Sequence, residues 1–198
     1  MTDRNPIPFE AAILVGGRSR RMGRDKATIE VRGEPLWRRQ VRLAGETGAR
    51  RVFLSVRADQ TLDIGGLDRV ADELPDLGPL SGIASALASC RTSHLLILAV
   101  DMPSMTRDAL CEMLSRCEPG FGVIPHTPAG AQPLAAVYTV DCLVPARRRL
   151  AEGALSVRSW AAECLRSGHC IRWDIPESHA PLFANWNSRE DIDLGQRA

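Results

Sequence analysis

Residues 94–101 have the sequence HLLILAVD, a continuous apolar run that ends in a carboxylate. Such a run is typical of a strand that other elements cover on both faces, as in a parallel sheet. Met102 and Pro103 follow and end the strand, so Asp101 is predicted to lie at the carboxyl edge of the sheet. Because open α/β sheets bind their ligands at that edge, the stretch predicts a fold class and a site residue together.

Short apolar runs alternate with segments of helical period on both sides of this strand. Strands are predicted over residues 11–15, 51–56, 94–100, 121–125 and 133–139. Helices are predicted over residues 35–48, 79–89, 106–116, 141–151 and 155–166, with a last helix after Ser188. The alternation predicts an α/β fold with a parallel-type sheet and helices on both of its faces.

Length and composition limit the kinds of protein that this chain could be. The 198 residues fit one domain, residues 1–198, with residues 1–10 expected to form a flexible N-terminus. Lys+Arg 25 nearly balance Asp+Glu 24, so no global field favours nucleic acid or an anionic membrane as the partner. No apolar run is long enough to span a membrane and the first residues lack a signal-peptide core, so a cytoplasmic protein is expected.

The cysteines and histidines give no signal of a metal site or a disulfide framework. The six cysteines form no CxxC pair, and we expect them to act as small buried hydrophobic residues. The four histidines are scattered, without the spacing of metal ligands.

The first predicted strand leads into Gly16 and Gly17 and then into a basic loop over residues 18–26. Glycines let a backbone approach a ligand closely, and exposed N–H groups in such a loop can bind an anion. Neither GxxxxGK[ST] nor GxGxxG occurs here, so the two commonest nucleotide fingerprints are excluded at this loop. Lys26 is the only lysine in the chain, and its compact ammonium suits a position among phosphate oxygens. A solvated basic loop is the alternative interpretation.

Polar residues elsewhere could face the same edge. Asp101 is a candidate Mg²⁺ ligand, since Mg²⁺ takes one or two carboxylates together with substrate phosphates and water, or it could cap the following turn. Asp72 could face the same crevice or belong to an exposed acidic loop. Asn185 and Asn187 flank Trp186 and could contact a ligand or stabilise a turn.

Taken together, these motifs resemble those of the molybdenum cofactor guanylyltransferases, a branch of the nucleotidyltransferase superfamily. LVGGRSRRMGRDKA is similar to the LAGGxSxRMGxDK signature, GPLSG to GPLAG, and AVDMP to PCDMP. QPLAAVY resembles a PLFALY-type strand, and FANWNSREDI resembles FxNxNTPEDL. The matches run in family order from residue 11 to residue 192.

The resemblance implies a three-layer α/β/α sandwich with a mostly parallel, Rossmann-like sheet of the nucleotide-diphospho-sugar transferase type. It implies a reaction in which Mg²⁺-GTP and molybdenum-loaded molybdopterin give molybdopterin guanine dinucleotide and pyrophosphate. Molybdopterin is then a substrate, contact with molybdoenzymes or their chaperones is transient, and neither nucleic acid nor a membrane is a partner.

The resemblance also implies residue roles. Backbone groups of Leu14, Val15 and Gly16 line the guanine and ribose, with Gly17 beside them. Lys26 and Arg21 bind phosphate charge and act in catalysis, Asp72 contacts the nucleotide, and Asp101 holds Mg²⁺. Asn185 and Asn187 lie toward the pterin.

One departure leaves the base assignment open. The family's NANR-like segment appears here as Ser55-Val56-Arg57-Ala58, without an asparagine that contacts the nucleotide. A molybdopterin cytidylyltransferase, a sugar- or polyol-phosphate nucleotidyltransferase and a non-catalytic GTP- or cofactor-binding adaptor for molybdoenzymes therefore remain alternatives.

Overall fold

The structure is a computed structural model that describes residues 7–16, 28–31, 33–74 and 77–186. Four predicted site residues lie outside these ranges: Gly17, Arg21, Lys26 and Asn187. The helix predicted after Ser188 also lies outside them.

An eight-stranded sheet forms the centre of the molecule, in the order β10-β7-β9-β6-β1-β4-β5, with β8 paired to β7. The strands are β1 Phe9–Leu14, β4 Val52–Val56, β5 Asp68–Ala71, β6 His94–Ala99, β7 Gly122–Thr127, β8 Gly130–Ala131, β9 Ala135–Thr139 and β10 Cys170–Asp174. The pairs of β1 with β4 and β6, of β4 with β5, and of β10 with β7 are parallel, whereas β9 runs antiparallel to β6. A separate hairpin pairs β2 Glu30–Val31 with β3 Glu34–Pro35.

Helices cover both faces of this sheet. They are α1 Leu36–Glu46, α2 Pro79–Ser89, α3 Arg107–Ser115, α4 Leu143–Ala151 and α5 Val157–Arg166, with 3₁₀ segments at Val140–Cys142 and Glu177–Phe183. One apolar core packs α1 and α3 against the sheet, and a second packs α2, α4 and α5 against the opposite face. The predicted three-layer α/β/α sandwich is therefore confirmed, and so is its mostly parallel sheet.

The central elements agree with the sequence-based predictions. All six residues of β6 are buried, as the apolar run over residues 94–100 predicts. Thr106 caps α3 by accepting a hydrogen bond from the Ala109 N–H at 3.2 Å. Gly48 follows α1 with a φ of 87°, where a residue without a side chain is favoured.

The boundaries and the sheet edges differ from the predictions. Phe9 and Glu10 belong to β1 and are 7% and 3% exposed, so they are not part of a flexible N-terminus. Glu10 is held inside the sheet by an ion pair with Arg51 at 3.3 Å. The edge strands β5 and β10 were not predicted, because charged and exposed residues interrupt their apolar pattern.

Three helices start later than predicted. Pro35 is the last residue of β3, and α1 begins after it. The helix predicted over residues 141–151 begins as a 3₁₀ turn, and the helix predicted from residue 155 begins at Val157 after an N-cap at Ser156.

All six cysteines are free thiols, and four of them are buried, as the sequence predicts for small hydrophobic residues. The buried ones are Cys117, Cys142, Cys164 and Cys170. Within the described part of the chain, no helix is long and apolar enough to cross a membrane.

Candidate functional site

Four residues form one row at the carboxyl edge of the sheet: Asp72, Arg57, Gly16 and Asp101. In the sheet register, Val70, Ser55, Leu14 and Ala99 pair side by side on four neighbouring strands. Each residue of the row lies two positions after the member of this set on its own strand. Neighbouring strands are about 4.8 Å apart, so the row spans roughly 14 Å from Asp72 to Asp101. β1 stands in the middle, with its first crossover leading to β4 on one side and a later one reaching β6 on the other. Ligands of open α/β sheets bind in the crevice at such a reversal of strand order.

The turn after β1 is fixed by its neighbours on both sides. The Val15 N–H donates to the Ser55 carbonyl at 3.0 Å, and the Val100 N–H donates to the Leu14 carbonyl at 3.2 Å. Gly16 packs so closely on the end of β4 that a Cβ there would lie 3.3 Å from the Arg57 backbone nitrogen. The backbone of residues 14–16 is therefore held rigidly beside the crevice, as a backbone recognition surface requires.

Asp72 is packed against the N-terminal half of α2. Ser55 Oγ donates to Asp72 Oδ1 at 3.4 Å, and the Asp72 N–H donates to the Val56 carbonyl at 2.9 Å. Gly82 makes this packing possible, because a Cβ at that position would lie 2.9 Å from Ser55 Oγ and 3.0 Å from Asp72 Oδ1. The second glycine of the GPLSG motif thus gives the carboxylate room beside the helix.

The loop that carries Asp72 is tied to the same helix by two serines. Ser81 Oγ donates to the Leu74 carbonyl at 2.7 Å, and Ser85 Oγ accepts from the Glu73 N–H at 3.0 Å. Pro79 starts the helix after Gly78, whose φ is 75°. These contacts fix the position of the carboxylate relative to the sheet edge.

Burial raises the pKa of Asp72 to about 6, against an ordinary value of 3.8, although Ser55 and Arg57 act in the opposite direction. Between these two pH values the folded chain holds a proton that the unfolded chain has lost. The free energy of unfolding therefore falls as pH rises through this window. A buried carboxyl group that lowers stability in this way is typical of a functional position.

Asp101 lies half-buried at the opposite end of the row. Its carbonyl accepts a hydrogen bond from the Trp186 N–H at 2.8 Å, which brings the Asn185-Trp186 segment to the end of β6. Gln40 of α1, itself fully buried, donates from Nε2 to the Met102 carbonyl at 2.7 Å and holds the next residue in place. Across the described residues, no group of three or more His, Cys, Asp or Glu side chains could hold a metal ion.

The predicted site residues within the described ranges come together at this one edge. They are Leu14, Val15, Gly16, Asp72, Asp101 and Asn185. Asn185 is exposed beside Trp186. Sequence reasoning gave no role to Gln40 and Gln60, because a single glutamine outside any motif carries no signal. Only the folded structure shows that these side chains are buried, with 0% and 5% of their surface exposed.

Comparisons with known proteins identify the family of this chain. The family described as MobA-like NTP transferase domain matches residues 11–168. A probable molybdenum cofactor guanylyltransferase of Opitutus terrae is 37% identical over 196 residues, covering 98% of this chain and 97% of that protein. A molybdenum cofactor guanylyltransferase of Xanthomonas euvesicatoria pv. vesicatoria is 32% identical over 185 residues, covering 92% of each.

Solved structures show the same fold. Molybdopterin-guanine dinucleotide biosynthesis protein A from Archaeoglobus fulgidus has a TM-score of 0.75 at 19% identity, covering 95% of this chain and 97% of that one. A nucleotidyl transferase from Methanothermobacter thermautotroptrophicus has a TM-score of 0.74 at 14% identity, covering 96% and 98%. These likenesses confirm the predicted fold class.

Proposed function

This chain belongs to the MobA-like NTP transferase domain family, and on that premise we propose that it transfers GMP from GTP to molybdenum-loaded molybdopterin. The products are molybdopterin guanine dinucleotide and pyrophosphate. The observation that carries the proposal is the row of Asp72, Gly16 and Asp101 along one sheet edge. A nucleotide laid along it has its base and ribose near Gly16 and Asp72 and its phosphates toward Asp101.

The base end of the row offers hydrogen-bond acceptors. The backbone of Val15 and Gly16 is held beside the crevice, and the Asp72 carboxylate accepts hydrogen bonds when it is ionised. Guanine presents N–H donors on its Watson–Crick edge, which a carboxylate and backbone carbonyls suit. This complementarity supports GTP as the nucleotide.

The residues assigned to the phosphates of the nucleotide lie outside the described ranges. Gly17, Arg21 and Lys26 follow within ten residues of Gly16, which lies at the crevice. We assign Lys26 and Arg21 to the charge that develops on the leaving pyrophosphate, and Gly17 to the N–H groups that face it.

Mg²⁺ fits the donor set at the end of β6. Asp101 supplies one half-buried carboxylate, and among the described residues no group of three or more His, Cys, Asp or Glu side chains could hold an ion by itself. That is the donor set of an ion held by one carboxylate together with substrate phosphates and water, and not of a cage made by protein alone. When bound, Mg²⁺ supplies neutralisation of phosphate charge.

The chemistry is an in-line displacement. A phosphate oxygen of molybdopterin forms a bond to the α-phosphorus of GTP, and the bond from that phosphorus to the bridging oxygen of pyrophosphate breaks. The attacking phosphate is already ionised at neutral pH, so no general base is needed. Positioning and charge neutralisation then supply the acceleration. We assign Asn185 to the pterin side, since the N–H of its neighbour Trp186 donates to the Asp101 carbonyl, and we expect the product to pass to molybdoenzymes by transient contact.

Pyrophosphate release tests the proposal. The protein is incubated with Mg²⁺, molybdopterin and one of GTP, CTP, ATP or UTP, and release is expected with GTP far above the others. A preference for CTP would reassign the base. GTP binding without pyrophosphate release, with molybdopterin present, would favour the non-catalytic adaptor.

A further inference from the structure

Gln60 is a buried amide between the ends of two central strands. Its side chain Nε2 donates to the Val15 carbonyl at 3.2 Å, and its Oε1 accepts from the Arg57 N–H at 3.3 Å. Its own N–H donates to the Arg57 carbonyl at 3.1 Å, and its carbonyl accepts from Arg69 Nη2 at 2.8 Å. One side chain thus joins the residue after β1 to the residue after β4.

Arg57 continues the same connection one residue further along the turn. Its Nη1 donates to the Gly16 carbonyl at 3.2 Å, while Nε donates to Asp59 Oδ1 at 3.0 Å. The guanidinium is therefore anchored at both ends. Gln60 and Arg57 together hold two successive carbonyls, those of Val15 and Gly16, at the base end of the proposed nucleotide site.

The sheet does not need this connection to pair its strands. β1 and β4 already share a parallel ladder, which the Val15 N–H extends to the Ser55 carbonyl. The Gln60 contact adds no strand pairing beyond it. It fixes the direction of a carbonyl instead, through a buried amide whose two polar atoms are both hydrogen-bonded.

The location of Gln60 indicates a role beyond packing. Gln60 places a carboxamide at the end of β4, between the Arg57 N–H and the Val15 carbonyl beside the crevice. We propose that Gln60 is a positioning residue of the nucleotide site, which acts with Arg57 by orienting the Val15 and Gly16 carbonyls for the base. This inference rests on the proposed function of that site.

The isosteric variant Gln60→Glu tests it. The carboxylate keeps the acceptor for the Arg57 N–H but turns an oxygen toward the Val15 carbonyl, so the two acceptors repel. We expect the KM for GTP and its equilibrium Kd to rise about tenfold, which is the loss of one well-placed buried hydrogen bond. At saturating GTP, kcat should stay within about threefold, because the groups that act on the phosphates are unchanged. The preference for GTP over CTP should narrow.

His94→Leu is the matched control. His94 is 1% exposed at the opposite edge of the sheet, and its Nε2 lies 3.1 Å from the Glu118 carbonyl, so it too is a buried side chain that joins loops. We expect this variant to lower Tm but to leave the KM and Kd for GTP unchanged. Gln60→Ala, which removes the donor to the Val15 carbonyl without adding a charge, should raise Kd in the same direction as Gln60→Glu and decides the question if Gln60→Glu does not fold.

The outcomes separate the two proposals. If Gln60→Glu lowers Tm as His94→Leu does and keeps Kd within about twofold of wild type, Gln60 is only structural and the inference is wrong. If wild-type protein binds GTP but releases no pyrophosphate, the proposed function fails, while the comparison of Kd values still decides the role of Gln60. If wild-type protein binds no nucleotide, both are overturned.

Discussion

Gly82→Ala is a small change at the point where Asp72 packs on helix α2. The new methyl group would lie 2.9 Å from Ser55 Oγ and 3.0 Å from Asp72 Oδ1, whereas ordinary contact begins near 3.4 Å. Ser55 is only 2% exposed, so it has little room to move away. We expect the carboxylate of Asp72 to be displaced.

Two opposing effects determine how much Gly82→Ala changes the free energy of unfolding. Alanine is favoured over glycine in a helix interior by about 0.8–1.0 kcal/mol. Overpacking of a well-packed site costs about 1–3 kcal/mol. The net change in the free energy of unfolding is therefore a loss of roughly 0–2 kcal/mol, and the displaced carboxylate should weaken GTP binding about tenfold.

Gly45→Ala in α1 is the control for the helix term. Gly45 is exposed, and a Cβ there would meet nothing within 4 Å, so this variant should be stabilised by up to about 1 kcal/mol. Urea unfolding gives both free energies, and equilibrium binding of GTP gives both Kd values. If Gly82→Ala is stabilised as much as Gly45→Ala and binds GTP with wild-type affinity, the reasoning about Asp72 is refuted.

Substitutions at three predicted site residues give further expectations. Asp72→Asn should raise the free energy of unfolding at pH 7 and flatten its fall between the ordinary pKa of 3.8 and the folded pKa of about 6, as pH-dependent urea unfolding will show. The same variant should weaken GTP binding, and in wild-type protein the affinity should rise as pH passes through about 6; a pH-independent affinity would exclude Asp72 from the contact. Asp101→Asn should raise the Mn²⁺ concentration needed for half-maximal binding of GTP·Mn²⁺, measured by electron paramagnetic resonance, and an unchanged value would remove it from the metal site. Lys26→Arg conserves charge but should lower kcat about tenfold or more, because a planar guanidinium does not fit where an ammonium does; wild-type turnover would favour a solvated basic loop.

The buried centre of the fold could be predicted because its residues carry the pattern locally. The apolar run over residues 94–100 needs no partner to indicate a strand covered on both faces. The edge strands β5 and β10 could not be predicted in this way, since each exposes charged side chains and depends on pairing with a distant strand. The start of β1 was missed because Glu10 looks like a surface residue until Arg51, far along the chain, pairs with it.

The site residues likewise include some that the sequence could predict and some that only the fold reveals. Asp101 was predicted at the end of an apolar strand and Asp72 from the family resemblance, and the register of the sheet brings both to one edge. Gln60 could not be predicted, because its role depends on the Val15 carbonyl, which is distant in sequence. The close approach of Gly82 to Asp72 also appears only when helix and loop are packed together.

A competition experiment tests the central claim most directly. Equal concentrations of GTP and CTP are mixed with the protein, Mg²⁺ and molybdenum-loaded molybdopterin, and the dinucleotide product is identified by its mass. The account predicts a product heavier by one GMP unit, with one pyrophosphate released for each. A product that carries CMP would contradict the base assignment, and no dinucleotide product at all would contradict the transfer reaction itself.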